Sequence, residues 1–212
     1  MLEHATLGVL LFCLNAHMIV WHFGEICKAN FLDKAEVKQK AWRLVRSGVV
    51  VCALCLGPLT VHGCYSRHCR DEGGRRYDGW VAQGHCEACD KYPSLLPEFL
   101  MPYKHYKAEV IEVVIADSEG GKNFEKSGDR AVDISTMRRW VRQFKERGAQ
   151  AAGWLHSILS TVYDAHVGSI ELRNRTLMQQ LSRLLLEYPA PRSGGILGRA
   201  NIILTTHNCG FL

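Results

Sequence analysis

The chain lacks a continuous apolar run long enough to cross a membrane. The apolar stretch at residues 5–14 falls far short of the ~20 residues that a transmembrane helix needs. No basic segment precedes it, as one would in a secretory signal peptide, and an alternative start at Met18 would remove it altogether. We therefore expect neither a membrane protein nor an exported one.

Signatures of catalysis are missing as well. No glycine-rich phosphate loop occurs, because the glycines at 194, 195 and 198 lack the lysine and the strand–helix context of such loops. No pair of nucleophile and base can be identified. The following carboxylates have no spacing typical of a metal-dependent nuclease: Asp117, Glu119, Asp129 and Asp164. We predict a protein that is not an enzyme.

Cysteine, in contrast, is abundant and clustered. Six of the nine cysteines fall between residues 52 and 89, and four of them form two Cys-x-x-Cys pairs. Each pair can present two thiolates to one ion from a single turn, and two pairs complete a tetrahedral site. The sequence therefore predicts a structural Zn²⁺ site, with these ligands: Cys52, Cys55, Cys86 and Cys89.

Residues 56–85 separate the two pairs, a span longer than the about 15–20 residues usual in such sites. Another side chain in this span could replace one ligand: Cys64, Cys69, His62, His68 or His85. Cys64 and Cys69 could equally be small buried hydrophobic residues. Because paired cysteines favour metal binding in a reducing compartment over disulfides, we expect a cytoplasmic protein.

Turn residues and periodicity predict a β module followed by helices. Asp33 and Glu36 are spaced as a capping box and begin a helix over 33–47, and two strands are expected at 59–65 and 79–84. The predicted division is an uncertain segment 1–32, a zinc-ribbon-like domain 33–92, a proline-rich linker 93–102, a helix-turn-helix-like region 103–148, and a C-terminal helical hairpin with an apolar tail 149–212.

Four helices are expected after the linker. The first begins near Tyr103 and ends at Gly120, and the second runs over 134–147, capped by Asp133 and stopped by Gly148. The third and fourth span about 149–165 and 169–188, and the tail should pack back on them. The fold class predicted is thus α+β.

The helix at 134–147 combines an apolar face with a basic one. Met137, Trp140, Val141 and Phe144 follow helical spacing, as core residues do. Six basic and two acidic residues between 130 and 147 give +4, against +5 for the whole chain. We predict DNA contacts from this helix, although an ordinary solvated basic face is the alternative. The candidate contacts are Ser135, Thr136, Arg138, Arg139, Arg142 and Lys145.

The segment 132–144, Val-Asp-Ile-Ser-Thr-Met-Arg-Arg-Trp-Val-Arg-Gln-Phe, resembles the recognition helix of insertion-element transposases and related helix-turn-helix proteins. The helix expected just before it, around 122–128, is short and flanked by glycine. The segment 132–144 and the segments at 60–65, 80–89 and 95–103 together resemble an uncharacterised bacterial family. The resemblance covers roughly residues 50–147. That family pairs a cysteine-rich zinc-ribbon-like domain with a helix-turn-helix-like region and is associated with mobile elements.

These observations together favour a non-enzymatic, zinc-containing DNA-binding protein linked to mobile elements or transcriptional control. The alternative is a zinc-stabilised adaptor that binds a protein, such as a transposase, and no DNA. Apolar residues in 167–188 recur at heptad spacing, with Asn174 at one core position. This seam predicts either a homodimer or packing against the helix at 149–165 of the same chain.

Overall fold

The computed structural model describes residues 18–21, 33–48, 50–123, 131–165, 167–188 and 195–207. It confirms an α+β fold in which a small sheet is followed by a mostly helical region. The elements in chain order are β1 (Met18–Trp21), α1 (Lys34–Arg46), β2 (Thr60–Arg70), β3 (Arg76–His85), β4 (Ser94–Pro97), α2 (Ala108–Glu119), α3 (Ile134–Val162), α4 (Ser169–Arg173), α5 (Leu177–Leu186) and α6 (Ile196–Thr206).

The sheet has the strand order β1-β4-β3-β2. β2 and β3 form a long antiparallel hairpin, β4 pairs antiparallel with β3, and β1 joins β4 in parallel. The strands predicted at 59–65 and 79–84 are confirmed, and both extend further towards the turn at 71–75. The hairpin is therefore the scaffold that carries both cysteine pairs, since one pair precedes β2 and the other follows β3.

Residues 93–102, predicted as a proline-rich linker, lie inside the fold. They contain β4, which pairs with β3 and β1 in the middle of the sheet, and Leu95, Leu96 and Leu100 are fully buried. Pro97 is the last residue of this strand. The segment is therefore core, and the position of the domain boundary stays a prediction.

The helix α1 confirms its predicted N-terminal cap. The Asp33 carboxylate accepts a hydrogen bond from the Glu36 backbone N–H at 2.8 Å. Val37 and Ala41 are buried in a core shared with β3 and β4, and the Lys34 ammonium lies 4.8 Å from the centre of the Trp80 ring. α1 thus covers one face of the sheet close to the cysteines.

The helix α2 begins at Ala108, five residues after the predicted start at Tyr103. Tyr103 has a φ of 57°, a left-handed value that belongs to the turn 101–104 and is incompatible with a helix. Gly120 ends α2, as predicted. The helix buries Ile111 and Ile115 in the main helical core.

Two carboxylates of α2 hold the N-termini of other helices. Glu119 accepts backbone hydrogen bonds from Leu177 at 3.0 Å and Met178 at 3.1 Å, at the start of α5. Glu112 accepts one from Leu197 at 2.7 Å, at the start of α6. Burial raises the pKa of Glu112, against the effect of these hydrogen bonds. The negative charges suit the positive ends of the two helix dipoles.

The helix α3 runs without interruption over 29 residues, so the predicted stop at Gly148 is wrong. Gly148 is needed for packing: a Cβ added there would lie 3.1 Å from the Leu177 side chain and 3.4 Å from the Phe144 ring. The predicted cap is confirmed, since Asp133 accepts a hydrogen bond from the Ser135 backbone N–H at 2.8 Å. Glycine here marks a close approach of α3 and α5.

The single helix predicted over 169–188 is also wrong, because residues 174–176 divide it into α4 and α5. Thr176 caps α5 in a capping box with Gln179, a start signal that the heptad pattern concealed. Leu181 and Leu184 are fully buried in the core of the same chain, and Asn174 is exposed. A homodimer through 167–188 stays a prediction, but these two leucines already have partners within one chain.

The C-terminal tail forms α6 and packs back on the helices, as predicted. Leu197, Ala200 and Leu204 are fully buried in the helical core. Ile202 instead contacts the sheet, beside Leu96 and Leu100. Among the helices in the described ranges, none combines the length and the apolar character that crossing a bilayer requires.

The two glycines of α3 provide a matched pair for a stability test. We expect Gly153→Ala to stabilise the protein by about 1 kcal/mol, because Gly153 is exposed in a helix interior and its added Cβ would meet no atom within 4 Å. Gly148→Ala gains the same helix propensity but crowds Leu177 and Phe144. It should therefore be less stable than Gly153→Ala in urea unfolding, and an equal gain would contradict the close approach.

Candidate metal centre and basic surface

The two cysteine pairs sit in two similar turns at the base of the β2–β3 hairpin. In the first turn the Cys52 backbone N–H donates to the Gly57 carbonyl at 2.9 Å; in the second, that of Cys86 donates to the Lys91 carbonyl at 2.9 Å. The residue after each pair has a left-handed φ, 59° at Leu56 and 50° at Asp90. Both turns therefore adopt the same geometry without the glycine that usually supplies it.

The four predicted ligand sulfurs come together. The Sγ atoms of Cys52 and Cys89 are 3.6 Å apart, those of Cys55 and Cys86 are 3.4 Å apart, and all four lie within 4.8 Å of one another. Zn–S bonds of ~2.3 Å in a tetrahedron place sulfurs about 3.8 Å apart. The cluster could therefore hold one metal ion with little adjustment.

The ionisation of the four thiols bears on how the cluster could hold a cation. Burial, reinforced by hydrogen bonds to the Cys52 and Cys55 thiols, raises the pKa of Cys89 to about 12. Burial also opposes ionisation of Cys86, but hydrogen bonds from the Cys55 thiol and the Cys89 backbone outweigh it and lower that pKa to about 7. One thiolate is thus accommodated near neutral pH and further ones are costly. A dication would remove that cost by binding all four as thiolates.

The other candidate ligands lie elsewhere. Cys69 is fully buried in a small apolar core with Val81 and Leu96, and burial raises the pKa of its thiol to about 11. Cys64 packs half-buried against the core beneath α1. Their interpretation as small hydrophobic residues therefore fits the structure.

The three histidines of the span make ring contacts outside the cluster. His62 and His85 both pack on Tyr92, with ring centres 4.8 and 4.5 Å away, and the Nε2 of His85 lies 3.0 Å from the Asp90 carboxylate. His68 stacks on His105 at 4.6 Å.

Gly57 is a residue of the centre that sequence spacing did not single out. A Cβ at this position would lie 3.2 Å from the Cys55 sulfur and 3.4 Å from the Cys86 sulfur. We expect Gly57→Ala to weaken metal binding about 10-fold, the lower end of the effect of changes next to metal ligands. Competition with a chromogenic chelator measures it. The control is Gly63→Ala, whose Cβ would meet nothing within 4 Å; equal affinities for both variants would refute the steric role of Gly57.

The basic helix is confirmed as amphipathic. The predicted core face is buried in the helical core: Met137, Trp140, Val141 and Phe144. The predicted basic residues are exposed: Arg138, Arg139, Arg142 and Lys145. The Trp140 ring also packs edge-on against Tyr106, at 5.1 Å, which ties α3 to the segment before α2.

The exposed cations divide between two sides of α3. Arg138, Arg142 and Lys145 line an open groove of about 590 Å³ with Ser118 of α2. We call it the α2–α3 groove. Arg139 lies on the other side, where its charge and that of Arg147 act on Lys104. The sequence pattern did not separate these sides, since it cannot show which neighbouring element each arginine faces.

The small hydroxyl residues at the start of α3 take part in its cap. The Ser135 hydroxyl donates to the Asp133 carboxylate at 2.5 Å, and the backbone N–H of Thr136 reaches the same oxygen at 3.4 Å. The Ser135 hydrogen bonds are the main reason that the pKa of Asp133 is lowered. Ser135 is exposed and Thr136 half-buried, and DNA contacts by either stay predictions.

The helix predicted before α3, around 122–128, lies mostly outside the described residues, which resume at 131. α2 and α3 bury side chains in one core. The tip of the β2–β3 hairpin lies against the start of α3, because a Cβ on Gly74 would be 2.5 Å from that of Ala131. The tip of the hairpin that carries the cysteine pairs therefore contacts the segment just before the basic helix.

Comparison with known proteins adds one finding. The family model described as a domain of unknown function (DUF6431) matches residues 52–140. That span begins at the first cysteine of the cluster and ends within the basic part of α3. The predicted similarity to an uncharacterised family over roughly 50–147 is confirmed in this general form. No curated protein and no solved structure matches the chain.

Proposed function

We propose that this chain is a non-enzymatic, zinc-stabilised protein that binds duplex DNA through α3. One observation carries the proposal: the N-terminal half of α3 is anchored in the core on one face and exposes Arg138, Arg139, Arg142 and Lys145 on the others. An α-helix about 10–12 Å wide fits the ~12 Å major groove, and cations on its flanks meet phosphates.

Zinc has a structural part in this proposal. Four thiolates form a closed site, which suits a folding role and leaves no open position for a substrate. Because Zn²⁺ is borderline-soft and accepts tetrahedral sulfur ligands, the donor set suits it better than Mg²⁺ or Ca²⁺, which prefer oxygen. The ion would hold the hairpin, and through its tip the start of α3, in one arrangement.

The resemblance of residues 132–144 to transposase recognition helices extends the proposal. It supports a helix-turn-helix-like use of α2 and α3 and an association with mobile elements in a bacterial cytoplasm. A reducing cytoplasm is consistent with free thiols at the metal centre.

The test is binding of the zinc-loaded protein to random duplex DNA across a salt titration. Arg138→Gln/Arg142→Gln should weaken binding about 10–100-fold at low salt and reduce the salt slope by about two, at ~0.9 per lost phosphate contact. A matched control is Arg43→Gln/Arg46→Gln, which removes two exposed charges from the last turn of α1. Equal loss in both pairs would refute a specific role for α3. No binding by the parent protein would favour the adaptor alternative.

A further inference from the structure

We propose that Lys104, Arg139 and Arg147 form a second phosphate-binding site, which grips the nucleic-acid backbone on the side of α3 opposite the α2–α3 groove. We call these three residues the cationic cluster. The inference rests on the proposed function and adds to it a partner contact that neither the cysteine motif nor the resemblance of residues 132–144 indicates. The sequence does not mark Lys104 as a binding residue, because it lies in a turn just after Pro102 and belongs to no motif.

The geometry gathers three positive charges. Arg139, Gln143 and Arg147 are spaced by four residues and share one side of α3. The Lys104 ammonium donates a short hydrogen bond to the Gln143 side-chain carbonyl, midway between the two arginines along the helix. Lys104 thereby brings its charge to α3 from a different segment of the chain.

No carboxylate compensates these charges within the described ranges. There, Arg142 lies 4.0 Å from Glu146 and Lys122 lies 3.0 Å from Asp117, yet no acidic side chain pairs with any member of the cluster. Burial lowers the pKa of Lys104, and the two arginines lower it further. Positive charges that lie close together without a carboxylate repel one another. Such an arrangement is typical of a site that binds an anion.

The turn that carries Lys104 is held by hydrogen bonds from a half-buried arginine of β2, Arg67. The Arg67 guanidinium donates from Nη2 to the carbonyls of Met101 at 2.8 Å and Lys104 at 2.7 Å. Its Nη1 is buried and has no hydrogen-bond partner among the described atoms. Lys104 is therefore presented by a rigid turn, which reduces the entropy lost when it binds an anion.

The placement on both flanks of one helix favours nucleic acid as the source of the phosphate. In the major groove, a helix lies between the phosphates of two strands. The α2–α3 groove would face one strand and the cationic cluster the other. Tyr103, next to Lys104, is 56% exposed and could contact a sugar or base at the same edge.

The test compares salt-dependent binding of duplex DNA by four zinc-loaded proteins. These are the parent, Lys104→Gln/Arg147→Gln, the groove variant Arg138→Gln/Arg142→Gln, and the control Lys122→Gln, which removes an exposed lysine outside the cluster. The cluster variant should lose about two units of salt slope and about 10–100-fold in affinity, like the groove variant, while the control stays like the parent. Zinc content and melting temperature establish that the variants fold. If the variant with Lys104→Gln does not fold, Arg147→Gln alone is tested instead.

Two outcomes separate the inference from the proposed function. If only the groove variant loses affinity, the cluster is not a contact and the inference is overturned, while the proposed function stands. If the parent binds no DNA, the proposed function fails. Binding of tripolyphosphate to the parent and to the cluster variant then tests whether the cationic cluster is a phosphate site. If the parent binds tripolyphosphate and the cluster variant does not, the cluster is a phosphate-binding site, but the phosphate does not come from nucleic acid. No binding of either probe overturns both.

Discussion

Removal of the proposed Zn²⁺ by a chelator is expected to unfold the sheet while parts of the helical region persist. Cys52 and Cys86 are fully buried members of the core beneath α1, so the metal ligands and the apolar core form one unit. Structural zinc sites contribute about 10–16 kcal/mol of apparent binding free energy, more than most small domains possess in total stability. The module 50–97 should therefore be unable to fold without the ion.

A single substitution should reproduce the effect. Cys86→Ser should lower the zinc content from one ion per chain to near zero and remove the hairpin signals from the amide NMR spectrum. The matched control is Cys64→Ser, in a half-buried position outside the cluster, which should retain the ion. An unchanged thermal melt after chelation would refute a structural metal.

Phe144→Ala is expected to cost about 3–5 kcal/mol, a large part of the about 5–15 kcal/mol that stabilises a typical domain. Phe144 is 1% exposed, and its ring lies against Gly148, where α3 approaches α5. Truncation leaves a cavity in the core that anchors the basic helix. Urea unfolding followed by far-UV circular dichroism measures the loss.

The control for this prediction is Val162→Ala, at the C-terminal end of the same helix and exposed. It should change the free energy of unfolding by less than about 0.5 kcal/mol, the usual range for surface substitutions. Since the cavity lies under the basic surface, the Phe144 variant should also bind DNA less well at temperatures close to its melting point. A cost below 1 kcal/mol for Phe144→Ala would show that α3 is held elsewhere.

Local patterns predicted the features that depend on local chemistry. The Cys-x-x-Cys spacing identified four sulfurs that the structure brings together, and the caps at Asp33 and Asp133 follow from side-chain hydrogen bonds within three residues. The apolar face of α3 follows from its periodicity. The caps and the apolar face depend on residues that are neighbours in sequence, and each cysteine pair is local too, whereas the approach of the two pairs across residues 56–85 was inferred from the tetrahedral site that they complete.

The errors arose where tertiary contacts override local preference. Gly148 looked like a helix stop, but the approach of α5 requires a residue without a side chain there. The prolines at 93–102 predicted a linker; that division of the chain stays a prediction, but the burial of the segment beside β3 could not be read from its own residues. Arg138 and Arg139 are adjacent in sequence, yet Arg138 lines the α2–α3 groove while Arg139 lies towards Lys104. None of these neighbours can be read from the segment itself.

The two carboxylates of α2 have a consequence for the order in which the chain assembles. Glu119 accepts hydrogen bonds from backbone N–H groups in the first turn of α5, and Glu112 accepts one from the first turn of α6. Neither C-terminal helix can complete its N-terminal turn in this way until α2 has formed, and short helices are marginal on their own. We therefore expect α5 and α6 to gain protection from hydrogen exchange during refolding no earlier than α2, so that these two C-terminal helices dock late.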